Sequence, residues 1–281
     1  MNKYFKKYYV VDEKKWEEIS QSSLPKFEKL LWEQELKQIE NKPIDLMGLI
    51  TKKDEKEVRK IEKIKEIILT LNNKVGNLRL SYIFLAYYYS IGIPDKKWYE
   101  YSESVTVKYF PNFEEEHFYL LYFFHFWVKV FYIDFFSICD SIWELLHQYY
   151  SIVGDPKEKF EKKMQKLKEK SPSLFNFLKE INQQYKDEYG KAETIRNQIV
   201  HGRPPYQMMS FPTIKKVSDE EYILGLEHEK YYTSKEIKEN IEKILVLLNE
   251  VFEEVKKELF GNTLCEYGER ERKVEKETEE N

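Results

Sequence analysis

The chain has 281 residues, of which 42% are hydrophobic and 34% are charged, and this composition predicts a globular protein with a substantial core. Lysine and arginine number 46 against 50 aspartate and glutamate residues, so the net charge is −4. This balance excludes a dedicated duplex-binding protein, which would need a basic face, and we expect no DNA partner. It does not exclude a small site that contacts RNA briefly.

The cysteines and the first residues of the chain bear on its compartment. Cys139 and Cys265 form no Cys-x-x-Cys pair, and the apolar neighbours of Cys139 indicate a buried small hydrophobic side chain. The sequence begins MNKYFKKYYVVDEKKW, which lacks the apolar segment of a signal peptide. We therefore expect a cytoplasmic protein.

Helical periodicity predicts two helical regions in the first third of the chain. The first runs from about Glu13 to Glu40, with a break between Ser20 and Pro25. The second runs from about Asp54 to Tyr89, where Asn72-Asn73 and Gly76 predict a kink and a Gly-Ile-Pro-Asp sequence then ends the helix.

A long aromatic segment from about Glu114 to Ser151 is predicted to be the central helix of the fold. Its apolar run from Phe118 to Val128 is too short to span a membrane. Charged or titratable residues interrupt the longer run, namely His125, Lys129, Asp134 and Asp140. We therefore expect no membrane partner.

The pattern between residues 157 and 201 stays helical but is predicted to break at Ser171-Pro172 and at Gly190. Residues 213–217 and 222–226 flank a polar turn, which indicates a small β-hairpin.

A last helix is predicted from Thr233 to about Phe260, because Thr233 and a glutamate three residues later form a capping-box pattern. The fold class is therefore all-α, an elongated helical bundle with a small β-hairpin insertion before the last helix. We interpret residues 1–76 as an N-terminal helical extension packed on the bundle and residues 77–260 as the bundle itself. Residues 261–281 form a charged tail that is predicted to be disordered.

The sequence RNQIVH from Arg196 to His201 carries the most chemical information. It places a permanent cation, an amide and a titratable base within two helical turns. Glycine and paired prolines follow within four residues, which predicts that the helix ends at His201. A reactive group at such a position can reach solvent and substrate.

A polar stripe is predicted along the central helix, since at 100° per residue five of its polar side chains fall close together. A solvent-facing strip would explain it, and so would a carboxylate that meets a partner inside the bundle, because an unpaired buried charge is costly. In the second case Asp140 would pair with Arg196. The residues of the stripe are Lys129, Ser137, Asp140, Glu144 and His147.

Two Glu-x-x-His pairs have the spacing of di-iron ligands in helical bundles. Those sites need the two pairs on different helices, whereas Glu114–His117 and Glu144–His147 lie on one predicted helix, roughly 45 Å apart. We therefore expect neither a metal site nor another cofactor.

The motif in its helical setting resembles the HEPN superfamily of helical bundles. Arg196, Asn197 and His201 match the pattern Arg-Asn, three residues, His, and Asp140 lies in the preceding long helix. The resemblance extends over about residues 78–259 and includes the segment AYYYSIGIP, as in one bacterial branch. It implies a metal-independent endoribonuclease that works as a homodimer on an RNA substrate. Many members belong to toxin–antitoxin or phage-defence systems, which would add an antitoxin protein as a partner.

By this resemblance Arg196 and His201 are the catalytic pair, with Asn197 and Asp140 in support. The chemistry of the residues agrees, because histidine can act as base or acid and arginine can hold phosphate oxygens. Asn197 precedes His201 by one turn and could orient it, whereas Arg196 points roughly 140° away, so a second protomer would complete the site. Three alternatives stay open: a non-catalytic HEPN bundle for dimerisation or partner binding, a purely structural Arg196 and His201, and an unrelated helical protein.

Overall fold

The computed structural model describes residues 55–101, 107–152, 160–202, 204, 210–216, 222–228 and 231–260. These residues form six helices and two antiparallel two-stranded sheets. In chain order the elements are α1 (Glu55–Ile91), β1 (Tyr99–Tyr101), β2 (Val107–Tyr109), α2 (Glu115–Tyr149), α3 (Phe160–Lys170), α4 (Pro172–Gln184), α5 (Lys186–His201), β3 (Ser210–Lys216), β4 (Tyr222–His228) and α6 (Ser234–Phe260).

The predicted all-α fold class with a hairpin before the last helix is confirmed. Helices α1, α2 and α6 begin and end close to their predicted limits, and β3 pairs with β4 from Ser210↔His228 to Lys216↔Tyr222. Helix α1 is continuous through the predicted kink. The predicted helix at Glu13 to Glu40 and the tail at 261–281 lie outside the described residues.

The break at Ser171-Pro172 is confirmed, and its cause is a local cap. The Ser171 hydroxyl accepts a hydrogen bond from the Leu174 backbone N–H at 3.3 Å, and Pro172 occupies the first helical position, where its missing N–H costs nothing. A similar cap starts α6. The Thr233 hydroxyl accepts from the Glu236 backbone N–H at 3.2 Å, while the Glu236 carboxylate accepts from the Thr233 N–H at 2.9 Å.

The predicted break at Gly190 is wrong, because the chain breaks at Tyr185 and Gly190 lies inside α5. A glycine in a helix costs only about 1 kcal/mol relative to alanine. The full burial of Ala192 and Ile195 on the same helix offsets that cost. The sheet of β1 and β2 was not predicted from the sequence, since three-residue strands are too short to show an alternating pattern.

The chain divides into two compact units, which we describe separately. In the first, residues 71–140 and 187–243, α2 supplies the centre of the core, because its fully buried positions recur at helical spacing. The Tyr132 hydroxyl donates to Asn240 Oδ1 at 2.8 Å, and Asn240 Nδ2 donates to the Glu188 carbonyl at 2.9 Å, so these buried polar side chains are paired. The buried positions of α2 in this unit include Phe124, Val128, Phe131, Tyr132 and Phe135.

The second unit consists of residues 141–186, part of α1 up to residue 70 and α6 from residue 244. Its apolar core includes Leu145, Leu167 and Leu174. The Glu258 carboxylate accepts hydrogen bonds from the hydroxyls of Ser171 at 2.5 Å and Tyr150 at 2.6 Å, so the residue that caps α4 is also tied to α6.

By length and composition α2 is apolar enough to cross a membrane. In this protein 44% of its most apolar 18-residue window is buried against other parts of the chain, and the core helix of a soluble protein passes the same test. The length and composition of α2 therefore do not by themselves indicate a membrane segment.

Candidate functional site

The RNQIVH sequence occupies the last two turns of α5, in the first unit. The helix ends at His201 as predicted, and the Gly202 backbone N–H donates to the Gln198 carbonyl at 3.1 Å. The side chains of Asn197 and His201 are exposed, whereas Arg196 is half-buried. The motif is therefore presented at an accessible helix end.

Helix α5 is held in place by two buried side chains and by contacts near its start. Ala192 and Ile195 are fully buried. At the first turn, Lys243 Nζ forms an ion pair with Glu188 at 2.7 Å, and Lys191 Nζ donates to the Glu236 carbonyl at 3.3 Å. These contacts fix the helix while Asn197, Val200 and His201 near its end remain exposed.

Arg196 rests on an aromatic surface. Its guanidinium carbon lies 5.8 Å from the centre of the Phe136 ring, a distance at which a cation and a ring attract each other. Phe136 in turn packs edge-on against Tyr189, with 5.4 Å between ring centres. A guanidinium carries its N–H donors in one plane, in an arrangement that suits the binding of phosphate oxygens.

Asn197 contacts Arg196 and not His201. The Arg196 Nη1 group donates to Asn197 Oδ1 at 3.0 Å. The amide was expected to orient the imidazole, and the structure instead uses it to position the guanidinium. Among the described residues His201 forms no hydrogen bond or ion pair, and within one chain the structure does not bring Arg196 and His201 into contact.

The expected buried pair of Asp140 and Arg196 is not found. Asp140 is exposed, and within the described part of the chain no ion pair joins it to Arg196. Both residues nevertheless lie near the Tyr189 hydroxyl. Burial is the main cause that raises the pKa of Tyr189, Asp140 raises it further, and Arg196 opposes the change. Asp140 therefore lies at the edge of the site without neutralising the cation.

The rest of the polar stripe agrees with a solvent-facing strip. Lys129 and Glu144 are exposed, and Glu144 lies 3.8 Å from Lys63 in an exposed ion pair. Ser137 and His147 are half-buried. A helical wheel finds such a stripe but cannot tell whether it faces water or another helix, since that depends on which neighbouring helices pack against α2.

Gln198 is a residue of the motif that sequence reasoning did not single out. Its Oε1 atom is buried and accepts no hydrogen bond from the described residues. An unsatisfied buried amide oxygen is uncommon in folded proteins, and its position beside Asn197 marks the motif as locally unusual. No sequence signal could have identified it, because burial of this atom depends on long-range packing.

The remaining histidines of α2 do not form a metal site. His117 Nδ1 accepts from the Glu114 backbone N–H at 2.9 Å, and the His147 ring packs edge-on against Trp143. Burial lowers the pKa of His125 to about 3, so this ring is neutral at physiological pH. Among the described residues no group of three or more His, Cys, Asp or Glu side chains could hold a metal ion.

The chain is an all-α bundle with an Arg-Asn-x-x-x-His sequence at an exposed helix end, and these are the features on which its resemblance to HEPN bundles rests. A comparison with protein families agrees: the family described as Cthe2314-like HEPN matches residues 68–256. The chain is therefore a member of the HEPN superfamily. No curated protein and no solved structure matches it significantly.

Proposed function

We propose that this HEPN protein is a metal-independent endoribonuclease that cuts single-stranded or loop RNA. One observation carries the proposal: Arg196 and His201 are both presented at the accessible end of α5, and no ion pair within the described residues occupies the guanidinium. A purely structural arginine would be expected to pair with a carboxylate, and Asp140 is close enough to Tyr189 to have offered one.

The two side chains suit the cleavage of RNA by its own 2′-hydroxyl. This reaction needs a base for the hydroxyl proton, an acid for the leaving 5′-oxygen and positive charge beside the phosphorane. His201 can serve as base or acid near neutral pH, and Arg196 supplies a fixed planar cation. Asn197 supports the reaction by holding the guanidinium in place.

A second copy of the chain would complete the site. Arg196 and His201 are five residues apart on one helix, so their side chains leave it in directions that differ by roughly 140°. A substrate phosphate bound to Arg196 is therefore poorly placed for His201 of the same chain. In a two-fold dimer, Arg196 of one protomer and His201 of the other could converge on one phosphate.

An exposed face on α2 fits this second copy. Four large apolar side chains on one sector of the helix are exposed, and we call them the exposed apolar stripe: Phe118 at 50%, Tyr122 at 66%, Phe126 at 49% and Ile133 at 40%. Their positions fall within about 60–80° on the helix, and Phe136 and Asp140 lie in the same sector. A protomer docked on the stripe would therefore reach the floor under Arg196.

The size of the stripe is consistent with part of a dimer interface. Large apolar side chains bury roughly 150–250 Å² each when fully covered, so half-exposed members offer about 400 Å² per copy. A standard interface buries about 800 Å² per partner, and polar neighbours such as Lys129 would supply the rest. A two-fold contact also places the same stripe on both sides, so apolar groups meet apolar groups.

Such an activity would suit a toxin or a phage-defence component in the cytoplasm. A toxin would have an antitoxin protein as its partner. The alternative is a non-catalytic HEPN bundle that uses the exposed apolar stripe only to dimerise or to bind another protein.

The test is a cleavage assay on single-stranded and hairpin RNA with wild-type protein and His201→Ala. We expect wild type to cut RNA in excess chelator, to leave 2′,3′-cyclic phosphate ends and to spare an all-DNA copy of the substrate, which lacks the 2′-hydroxyl. His201→Ala should be inactive with an unchanged circular dichroism spectrum and melting temperature, because His201 is exposed. Loss of cutting with chelator, or equal cutting of DNA, would contradict the mechanism. No cleavage by wild type would favour the non-catalytic alternative.

A further inference from the structure

A second candidate site lies on the segment that connects α1 to α2. A surface cavity of about 550 Å³ is lined by two lysines, two aromatic residues, an amide and a proline. No carboxylate lines it among the described residues, although acidic residues outnumber basic ones in the chain. The lining residues are Pro94, Lys96, Lys97, Trp98, Tyr99 and Asn112.

The backbone around the cavity is held by an apolar base. Gly92 ends α1 with φ +111°, a conformation that other residues rarely adopt, and the chain then turns toward β1. The Phe110 backbone N–H donates to the Trp98 carbonyl at 2.8 Å. Below the cavity Phe110, Leu121 and Tyr231 form a buried cluster against which Trp98 packs, so the Trp98 side chain is anchored before any ligand binds.

The charges at the cavity favour an anion. Lys96 is exposed and forms no hydrogen bond or ion pair with the described residues. Lys97 pairs with Glu100 at 2.5 Å, but Glu100 also lies 4.0 Å from Lys108, so one carboxylate is shared between two lysines. Asp95, the residue before Lys96, is buried and accepts three hydrogen bonds from Ser234 and Tyr231.

Aromatic rings continue from the cavity along β1. The Trp98 and Tyr99 ring centres are 4.4 Å apart, and those of Tyr99 and Tyr101 are 5.6 Å apart. Tyr101 lies outside the cavity, and its side chain is 63% exposed. A row of rings beside lysines is the arrangement on which successive bases of a single strand stack while the cations contact the backbone. A ligand of one nucleotide would not need Tyr101.

We propose that this surface binds single-stranded RNA. It would hold the substrate of the proposed ribonuclease by nucleotides other than those at the cleaved bond. The residues that form the surface are Lys96, Lys97, Trp98, Tyr99, Tyr101 and Asn112. The lysines contact phosphates, the rings stack on bases, and the Asn112 amide can reach a base edge. The inference rests on the proposed function for its substrate, but binding is measured without cleavage.

The experiment uses the full chain carrying His201→Ala and a fluorescently labelled 12-nucleotide RNA, with binding followed by anisotropy. Adding Lys96→Ala together with Lys97→Ala should weaken binding at least 10-fold. Because each phosphate contact on a single strand contributes about −0.7 to the slope of log K against log salt, that slope should become shallower by about 1.4. Tyr101→Ala should weaken binding about 5-fold or more, as expected for loss of one stacked base. The matched control is Lys179→Ala with Lys186→Ala, two exposed lysines elsewhere in the chain, which should bind as the parent does.

The outcomes separate the two proposals. If the cavity variants keep their melting temperature and bind RNA with unchanged affinity and salt slope, the inference is wrong, whatever the wild-type enzyme does. If a mononucleotide competes as well as the 12-nucleotide RNA, the cavity binds a free nucleotide and the strand proposal is likewise overturned. If the variants lose RNA binding but wild type cleaves nothing, the binding site stands and the ribonuclease proposal fails.

Discussion

The Arg196 Nη1 group donates a hydrogen bond of 3.0 Å to Oδ1 of its chain neighbour Asn197. The guanidinium carbon also lies 5.8 Å from the centre of the Phe136 ring. Two groups therefore hold the cation, one by a hydrogen bond and one by a cation–ring contact. This gives the asparagine of the motif a role that does not depend on His201.

Asn197→Ala should lower kcat because the guanidinium loses one of its two supports. We expect about a 10-fold loss, less than for Arg196→Ala, since a misoriented cation still attracts phosphate. The melting temperature should be unchanged, because the Asn197 side chain is exposed. Single-turnover cleavage at saturating RNA would measure the effect on kcat. A change in KM alone would contradict the assigned role.

Arg196→Ala should abolish the proposed RNA cleavage with little loss of stability. A buried Asp140–Arg196 pair would have cost about 3–5 kcal/mol on removal of one partner. In the structure Asp140 is exposed and the arginine contributes a cation–ring contact worth about 0.5–1 kcal/mol. Urea unfolding of wild type, Arg196→Ala and Asp140→Ala would measure this directly. If Arg196→Ala lowers the free energy of unfolding by more than about 3 kcal/mol, Arg196 forms a buried ion pair after all and this prediction is wrong.

How far the sequence could predict this protein depends on the range of the interactions involved. The caps at Ser171-Pro172 and Thr233 act within four residues, so the local sequence is enough to predict where α4 and α6 begin. The break predicted at Gly190 was wrong because Ala192 and Ile195, on the same helix, are buried in the core. A glycine signal is weaker than such packing.

The same distinction applies to the candidate site. Arg196, Asn197 and His201 are contiguous enough for the motif to be read directly from the sequence. Phe136, which lies 60 residues earlier and forms the floor under Arg196, could not be found in this way. The exposure of Asp140 was also out of reach, because a helical wheel gives relative angles and does not show which sector faces solvent.

The pH dependence of stability should show the titration of His125. Burial lowers the pKa of this side chain from 6.5 to about 3 in the folded protein. Between these values the unfolded chain binds a proton that the folded chain does not, so stability falls as the pH drops from about 6.5 toward 3. His125→Gln, which cannot be protonated, should flatten this part of the profile. Melting curves from pH 7 to pH 4 would measure it, with the exposed His201→Ala as the control. Parallel profiles for His125→Gln and wild type would contradict a buried neutral ring.

The proposed dimer should require an intact exposed apolar stripe. Tyr122→Glu with Phe126→Glu would place charges on the stripe, at positions that are 66% and 49% exposed in one chain. We expect these changes to leave the fold intact, to produce monomers in analytical ultracentrifugation and to abolish cleavage. Wild type should likewise lose specific activity on dilution below its dimer dissociation constant. The paired control is Lys235→Glu with Lys179→Glu, which adds charge at exposed positions outside the stripe. If the stripe variants are monomeric but fully active, one chain contains a complete site. If the stripe variants remain dimeric, the stripe is not the dimer interface and another surface joins the two copies.

Mixing two inactive proteins tests the shared site most directly. Arg196→Ala keeps His201, and His201→Ala keeps Arg196. In a mixed dimer one composite site loses both groups, while the other receives Arg196 from one protomer and His201 from its partner and is complete. Random exchange of equal amounts makes half of the dimers mixed, each with one complete site of two, so about a quarter of wild-type activity should return.

If each site instead used Arg196 and His201 of the same chain, neither protomer of a mixed dimer would hold a complete pair and no activity would return. The assay is RNA cleavage after unfolding and joint refolding of the two variants. As a control, each variant refolded alone should stay inactive, and adding the stripe substitutions to both should prevent the recovery.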